Sequence, residues 1–361
     1  MSIQTPHVKS STDTPSQRPE WDNPQRQAAF QNWLDGVAPL HSLRPETLSL
    51  ASADASFRRY FRIQSGAETC IIMDAPPDKE NSQKFVQVAQ LMAAAGIRVP
   101  RILNWDNALG FLLVSDMGPR TLMQTLDPLA PPPLDAYLEA TDILVRWQSA
   151  STPAVLPDYD AALLRRELDL FPQWYVDKYR QFALDNAQQS VLSAAFNTIV
   201  QENLSWPQVF VHRDFMPRNL MPSPQGLGVL DFQDAVYGPI TYDIASLMRD
   251  AFLTWEEEFC LDVTIRYWEK ARKAGLPVGD DFGRFYRGVE WMGLQRHLKI
   301  LGIFARLTLR DGKPQYLADT PRFIAYVRAT CRRYRELGPL ARLIETIDGI
   351  EVPNAFAFGR V

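Results

Sequence analysis

Val209-Phe-Val-His-Arg-Asp-Phe-Met-Pro-Arg-Asn-Leu-Met221, followed by Val229-Leu-Asp-Phe-Gln-Asp234, is the stretch on which the fold of this chain turns. The apolar run Val209 to Val211 predicts a short buried strand that delivers His212, Arg213 and Asp214 onto a loop. Asn219 lies five residues beyond Asp214, and Asp231 closes a second short strand after the turn at Pro222–Gly226. Asp214, Asn219 and Asp231 therefore offer oxygen-bearing side chains at the ends of neighbouring strands. Such a set suits a hard cation that holds phosphates, with one carboxylate left to take a proton from a hydroxyl. A lone Asp-x-x-x-x-Asn is ordinary turn chemistry. Here apolar strands flank both halves and His212 precedes the Asp, a combination that points to a site.

With 361 residues the chain is long enough for a sizeable core and two lobes. A formal charge of -4 gives no electrostatic case for a nucleic-acid partner. Cys70, Cys260 and Cys331 are widely spaced and odd in number, which suggests reduced thiols and a cytoplasmic location. No apolar run approaches the roughly 20 residues that cross a bilayer, and the N-terminus lacks the basic-then-apolar build of a signal peptide. No repeat or heptad argues for assembly, so a monomer is expected.

Residues 1–24 are rich in Ser, Thr, Pro and Gln and are expected as a disordered tail. Gln25 to Val37 predicts a helix with Phe30, Trp33, Leu34 and Val37 on one stripe. Thr47 to Ala75 reads as β-structure: Phe57, Arg59, Phe61 and Ile63 alternate with Arg58, Tyr60, Arg62 and Gln64, and Thr69 to Met73 is an apolar strand. Between these strands Ser52-Ala-Asp-Ala-Ser56 is either an ordinary hairpin or a loop whose N–H groups cover phosphates. Glu80 to Ala95 is expected as a helix, and Leu103–Asp106 pairs with Phe111–Ser115 across a turn. After Ser115-Asp-Met-Gly118 nearly everything reads as helix: 134–150, 161–171, 174–204, 241–252, 255–274, 281–309 and 322–337. A β-rich lobe over 25–116 and a larger helical lobe over 117–361 are expected to leave a ligand cleft between them.

His-Arg-Asp-x-x-x-x-Asn has the spacing of a protein-kinase catalytic loop. Together with Tyr242-Asp-Ile-Ala245 it resembles the aminoglycoside phosphotransferase and choline kinase family, an α+β class of bilobal protein-kinase-like fold. Ala51 to Arg62, Met73-Asp-Ala-Pro-Pro77 and Gln295 to Arg306 are similar to a narrower group, the bacterial cell-wall-recycling kinases of N-acetylmuramate and N-acetylglucosamine. The resemblance implies an ATP-dependent sugar kinase that phosphorylates the anomeric hydroxyl. Asp214 would be the catalytic base, Asn219 and Asp231 would hold Mg²⁺, and His212, Arg213 and Asp243 would support the loop. Ser115, Asp116 and Met117 would form the hinge that meets adenine, and Ser52, Ala53, Asp54 and Ser56 would lie over the phosphates. One departure stands out: no Lys occupies the third strand near Met73, and Gln87 and Gln90 stand where its helical Glu partner is expected. Arg58 or Arg59 is the candidate replacement, or both simply solvate an edge face. A pseudokinase regulator and a kinase for an aminoglycoside, choline or another sugar are the rival readings.

On the acceptor side, Arg284, Arg287, Arg296, Lys299, Arg306, Arg310 and Lys313 face only Glu290 and Asp311 along the sequence. A basic wall of this kind suits an anionic or neutral sugar, with Arg296 or Arg306 pairing a carboxylate. Glu167 and Trp174 are further candidate sugar contacts, although aromatics near a helix break are more often core. The histidines show no zinc-ligand spacing.

Overall fold

A computed structural model of the chain describes residues 21, 23–53, 57–127 and 129–350, the side chains of Ser52 and Ala53 excepted. It divides into two compact units, one built from residues up to 93 with 98–119, the other from 94–97 and residues 120 onward. Most of the segment expected as a tail lies outside the described residues. Its end does not behave as a tail: Trp21 packs on Phe30 with ring centroids 4.9 Å apart.

The first unit is an antiparallel sheet in the order β1-β2-β3-β5-β4. Its strands are β1 (Leu43–Ala53), β2 (Arg59–Ser65), β3 (Glu68–Asp74), β4 (Ile102–Asp106) and β5 (Phe111–Ser115). Alternation sends Phe61, Ile63, Cys70, Ile72, Phe111 and Leu113 to one face, where they bury against Phe30, Trp33 and Leu34 of helix α1 (Pro24–Val37). α1 starts at Pro24 because Asn23 caps it, accepting the N–H groups of Gln25 and Arg26. Helix α2 (Ser82–Ala94) follows β3. The β4–β5 turn needs Gly110: at φ +69° a Cβ there would stand 2.0 Å from the Ala75 carbonyl oxygen.

Asp74 ends β3 with its carboxylate fully buried and both oxygens taken. Arg26 binds Oδ1 through Nε (3.0 Å) and Nη2 (2.5 Å), and Arg59 binds Oδ2 through the same atoms at 3.0 and 2.5 Å. One carboxylate thus ties α1 to β2 and β3.

The second unit holds α3 (Leu122–Thr125), α4 (Leu134–Ser149), α5 (Ala161–Leu168), α6 (Asn186–Leu204), β6 (Gln208–Val211), β7 (Leu220–Met221), β8 (Gly228–Val229) and β9 (Val236–Pro239). It continues with α7 (Tyr242–Met248), α8 (Glu257–Lys273), α9 (Phe282–Leu309), α10 (Thr320–Arg333) and α11 (Gly338–Asp348). Three helices differ from expectation. The span from Trp174 to Leu204 is interrupted: a π-helical segment covers Phe171–Tyr179, and α6 restarts at a capping box formed by Asp185 and Gln188. α7 stops at Met248 because the buried Asp250 carboxylate accepts the N–H groups of Phe252 and Leu253, an alternative to continuing the helix. α11 was not expected, yet Leu340, Leu343, Ile344 and Ile347 form an apolar stripe that packs into the core with α9 and α10. α9 comes close to the end of α5 at Gly302, where a Cβ would meet the Leu170 carbonyl carbon and oxygen at 2.4 Å. None of the described helices is long and apolar enough to cross a membrane.

Buried in this core, His297 donates its Nε2–H to the Arg249 carbonyl (3.2 Å), and its ring stacks on Tyr326 at 5.0 Å. Burial first, and the Arg249 charge second, push its pKa down to about 3 from an ordinary 6.5.

Removing the shared carboxylate in Asp74→Asn leaves Arg26 and Arg59 facing each other, and is expected to cost about 3 kcal/mol, measured by urea unfolding. For His297 the depressed pKa means that, as pH falls from about 6.5, the unfolded chain binds a proton that the folded chain refuses. Stability attributable to His297 is complete above that pH and declines by about 1.4 kcal/mol per pH unit on acidification. Asp250, held up at about 6 by burial, slopes the opposite way below that value. Comparing wild type with His297→Gln cancels it: between pH 6 and 4.5 the wild type is expected to lose stability faster, and parallel slopes would contradict the assignment.

Candidate active site

Short strand pairs build the site. β6 pairs antiparallel with β9 and β7 with β8, which brings the loop after β6 beside the residues after β8. Asp243, in the first turn of α7, is wholly buried and accepts the N–H of His212 on Oδ2 (2.7 Å) and of Arg213 on Oδ1 (3.0 Å). Burial pushes this carboxyl above its ordinary range, against the pull of those N–H donors. The expected anchoring role is thus played through the loop backbone. His212 is also buried. Its Nδ1 accepts the Asp214 N–H (3.2 Å) while Nε2 faces the Leu230 carbonyl (2.9 Å), so the ring is the neutral tautomer that donates from Nε2. Burial lowers its pKa and favours that form.

Asn219 donates from Nδ2 to the Asp214 carbonyl at 2.8 Å, and the same nitrogen lies 3.5 Å from Asp231 Oδ2. Asp231 adopts φ +61°, and Gln233 donates to its Oδ1 at 2.9 Å. Among the described residues none hydrogen-bonds the half-buried Asp214 carboxylate. The loop therefore fixes Asp214 through its backbone and leaves its side chain for a ligand. Asp231 and Asn219 fit Mg²⁺ in chemistry, since this ion takes few protein oxygens and fills the rest of its shell with water and phosphate.

Arg213 sits at φ +78°, a left-handed conformation unusual for a side chain of its size. Its guanidinium binds Glu167 Oε1 (2.6 Å), an oxygen that also accepts from Lys299 Nζ (2.8 Å). Glu167 Oε2 accepts from Gln295 (3.1 Å) and from the Tyr159 hydroxyl. Burial alone would raise the pKa of Glu167, but the Lys299 and Arg213 charges outweigh it and hold the carboxyl at about 2. Arg296 is buried and donates from Nη1 to the Arg213 carbonyl at 2.6 Å. Glu167 and Arg296, expected as sugar contacts, are therefore engaged beneath the catalytic loop. Trp174 lies on the π-helical segment with Lys178 over its ring at 4.2 Å, and Arg306 has Arg310 and Asp311 as charged neighbours. Three members of the basic wall are ion-paired, two of them with carboxylates from elsewhere in the chain. Arg287 reaches Glu336 (3.0 Å) and Glu202 (3.6 Å), Lys299 reaches Glu167, and Arg310 pairs with Asp311. Lys299, Gln295, Tyr159 and Gln233 are site-supporting residues whose sequence spacing alone did not reveal the role; only the burial pattern of α9 hints at the first two.

In the first unit, Asp54 and Ser56 lie outside the described residues, and Ser52 and Ala53 end β1. Arg59 is committed to Asp74, whereas Arg58 is buried with Nε 3.7 Å from Glu80, just before α2. Glu80 also accepts the Phe57 N–H at 3.3 Å. At the expected hinge, Ser115 Oγ accepts the Arg101 N–H (2.9 Å) and Met117 is buried. Asp116 turns back onto Arg62 (2.5 and 3.2 Å), Thr69 (2.8 Å) and the Gly118 N–H (2.9 Å). Burial opposes ionisation of Asp116, but these donors prevail and lower its pKa.

Residues 47–282 match the model of the phosphotransferase enzyme family. An N-acetylmuramate/N-acetylglucosamine kinase of Neisseria meningitidis serogroup B is 47% identical over 340 residues, 92% of this chain and 100% of that protein. The kinase of the same name from Pseudomonas aeruginosa is 46% identical over 89% of this chain and 97% of its own. Among solved structures, a choline kinase of Streptococcus pneumoniae superposes with a TM-score of 0.60 at 12% identity, covering 84% of this chain and 99% of that one. An ADP-bound aminoglycoside phosphotransferase gives 0.56 at 13% identity, covering 87% and 98%. These last likenesses establish the protein-kinase-like fold. With the His212–Asp243 loop assembled as that fold requires, the chain belongs to the phosphotransferase enzyme family.

Proposed function

We propose that this chain is an ATP-dependent sugar kinase that transfers the γ-phosphoryl group to the anomeric hydroxyl of N-acetylmuramate or N-acetylglucosamine. The observation that carries the substrate is the end-to-end similarity, at 46–47% identity, to proteins named as kinases of those sugars. The geometry supplies the chemistry. Asp214, held through both of its neighbouring peptide groups, accepts the proton of the sugar hydroxyl as the oxygen forms its bond to phosphorus. The bond between the γ-phosphorus and the bridging oxygen of ATP breaks, and ADP leaves with that electron pair. An anomeric hydroxyl is more acidic than an ordinary alcohol, which eases the transfer. Asn219 and Asp231 hold Mg²⁺, which when bound neutralises phosphate charge. Because the loop is fixed in advance, its contribution is positioning rather than rearrangement.

For the nucleotide, Ser115 to Met117 supply backbone to the adenine, and the segment from Ser52 to Ser56 covers the phosphates. Arg58, braced by Glu80, takes the role of the missing third-strand lysine in preference to Arg59, whose charge is spent on Asp74. The enzyme acts as a cytoplasmic monomer, and its sugar 1-phosphate product feeds a uridylyltransferase step in peptidoglycan recycling.

ADP release with Mg-ATP is to be measured against N-acetylmuramate, N-acetylglucosamine, glucose, choline and kanamycin. Turnover is expected with the N-acetyl sugars, with phosphorus NMR showing a C1 phosphate. Asp214→Asn is expected to lower kcat by about 10²–10⁴-fold. ATP binding without turnover on any acceptor would instead identify a pseudokinase, and turnover confined to choline or kanamycin would reassign the acceptor.

A further inference from the structure

The peptide group that joins Arg213 to Asp214 is gripped at both ends. Its N–H, belonging to Asp214, is bound by His212 Nδ1 (3.2 Å), and its carbonyl, belonging to Arg213, accepts from Arg296 Nη1 at 2.6 Å. The first contact is local to the loop. The second comes from α9, across 83 positions of sequence. This peptide plane sets the direction in which the Asp214 side chain leaves the backbone. It is also the plane that would turn if Arg213 relaxed from φ +78° to the negative φ that L-residues prefer.

We propose that Arg296 is the positioning residue of the catalytic loop: by holding the Arg213 carbonyl it locks the Arg213–Asp214 peptide in the orientation that aims the Asp214 carboxylate at the acceptor hydroxyl. The inference rests on the reading of Asp214 as the base. Arg296 is itself set for this task. It is buried, it is carried on a helix interior, and its guanidinium lies over the Tyr242 ring at 4.8 Å. The same face of α9 presents Gln295 and Lys299 to Glu167, which secures the Arg213 side chain, so one helix holds this residue by its carbonyl and, through Glu167, by its guanidinium. Gly302, one turn further on, allows the close approach of α9 to the end of α5 that brings Lys299 and Glu167 together. Arg296 touches no reacting atom in this scheme. Its effect is on orientation, and a misplacement of about 1 Å at a reacting group is enough to cost about 10²-fold in rate.

The experiment compares Arg296→Met, which keeps the apolar stem and removes the donor, with Arg296→Lys, which restores one. Glu290→Gln is the control for stability alone. Glu290 lies on the same helix, buried and bound to Arg333 and Tyr334 away from the loop. Each variant is assayed for kcat, for KM of ATP and of N-acetylglucosamine, and for folded fraction by thermal melting, with Asp214→Asn alongside. Arg296→Met is expected to lower kcat by about 10- to 100-fold while both KM values stay within about twofold. Arg296→Lys is expected to recover most of that loss, and Glu290→Gln to lower the melting temperature with kcat intact. Wild-type kcat in folded Arg296→Met, or a loss that Glu290→Gln reproduces in proportion to its folded fraction, would overturn the proposal. Full turnover in Asp214→Asn would overturn the base assignment instead, and the two failures are told apart because the first leaves Asp214→Asn inactive.

Discussion

The buried carboxylate of Asp243, accepting the backbone N–H groups of His212 and Arg213, is the interaction on which the site depends. A loop that must present one acidic side chain to a ligand cannot also spend that side chain on its own stability. Asp243 resolves this by satisfying the loop's backbone from behind, at 2.7 and 3.0 Å, from the start of a helix that is buried on every side. With those donors satisfied, neutral His212 bridges the Asp214 N–H to the Leu230 carbonyl, and Asn219 closes the other side through the Asp214 carbonyl. The result is an acid placed by its backbone, in a fold where rate comes mainly from placement and charge.

Both units use the same device, a buried carboxylate divided between cations from distant elements. Asp74 serves Arg26 of α1 and Arg59 of β2, and Glu167 serves Arg213 of the loop and Lys299 of α9. Desolvating a carboxylate is unfavourable, and it becomes tolerable only when every oxygen is matched by donors in good geometry. That requirement makes such a group a strict reporter of whether the elements around it are correctly assembled. In the first unit it registers a helix against a sheet. In the second it registers a strained loop against a long helix.

How much of this was legible in the sequence follows from separation along the chain. His212, Asp214, Asn219 and Asp231 lie within one stretch whose apolar strands and polar turns have a fixed local spacing, and their convergence could be read directly, whereas Asp243 was implied only by the family resemblance. The partners of Arg296 and Lys299 stand 83 and 132 positions away, so charge counting along α9 produced a basic wall without showing which of its members the folded chain engages. Arg59 misled for the same reason: alternation correctly placed it on a strand, but which face it shared with Asp74 and Arg26 became visible only with the register of β2 on β3. The early end of α7 and the break before α6 are turn chemistry by Asp250 and Asp185, hidden in the sequence because helical periodicity continues across both. α11 carried an ordinary apolar stripe and could have been found.

The wide spacing of these contacts has a consequence for how the protein acquires activity. Residues 167, 213, 243, 296 and 299 must all be in place before Arg213 is held in its left-handed conformation, and closing loops of that length is entropically slow compared with forming the helices themselves. Secondary structure can therefore be complete in a refolding chain while Asp214 is still unaimed. Turnover should return as the last event of folding, and helical content by circular dichroism should recover ahead of it.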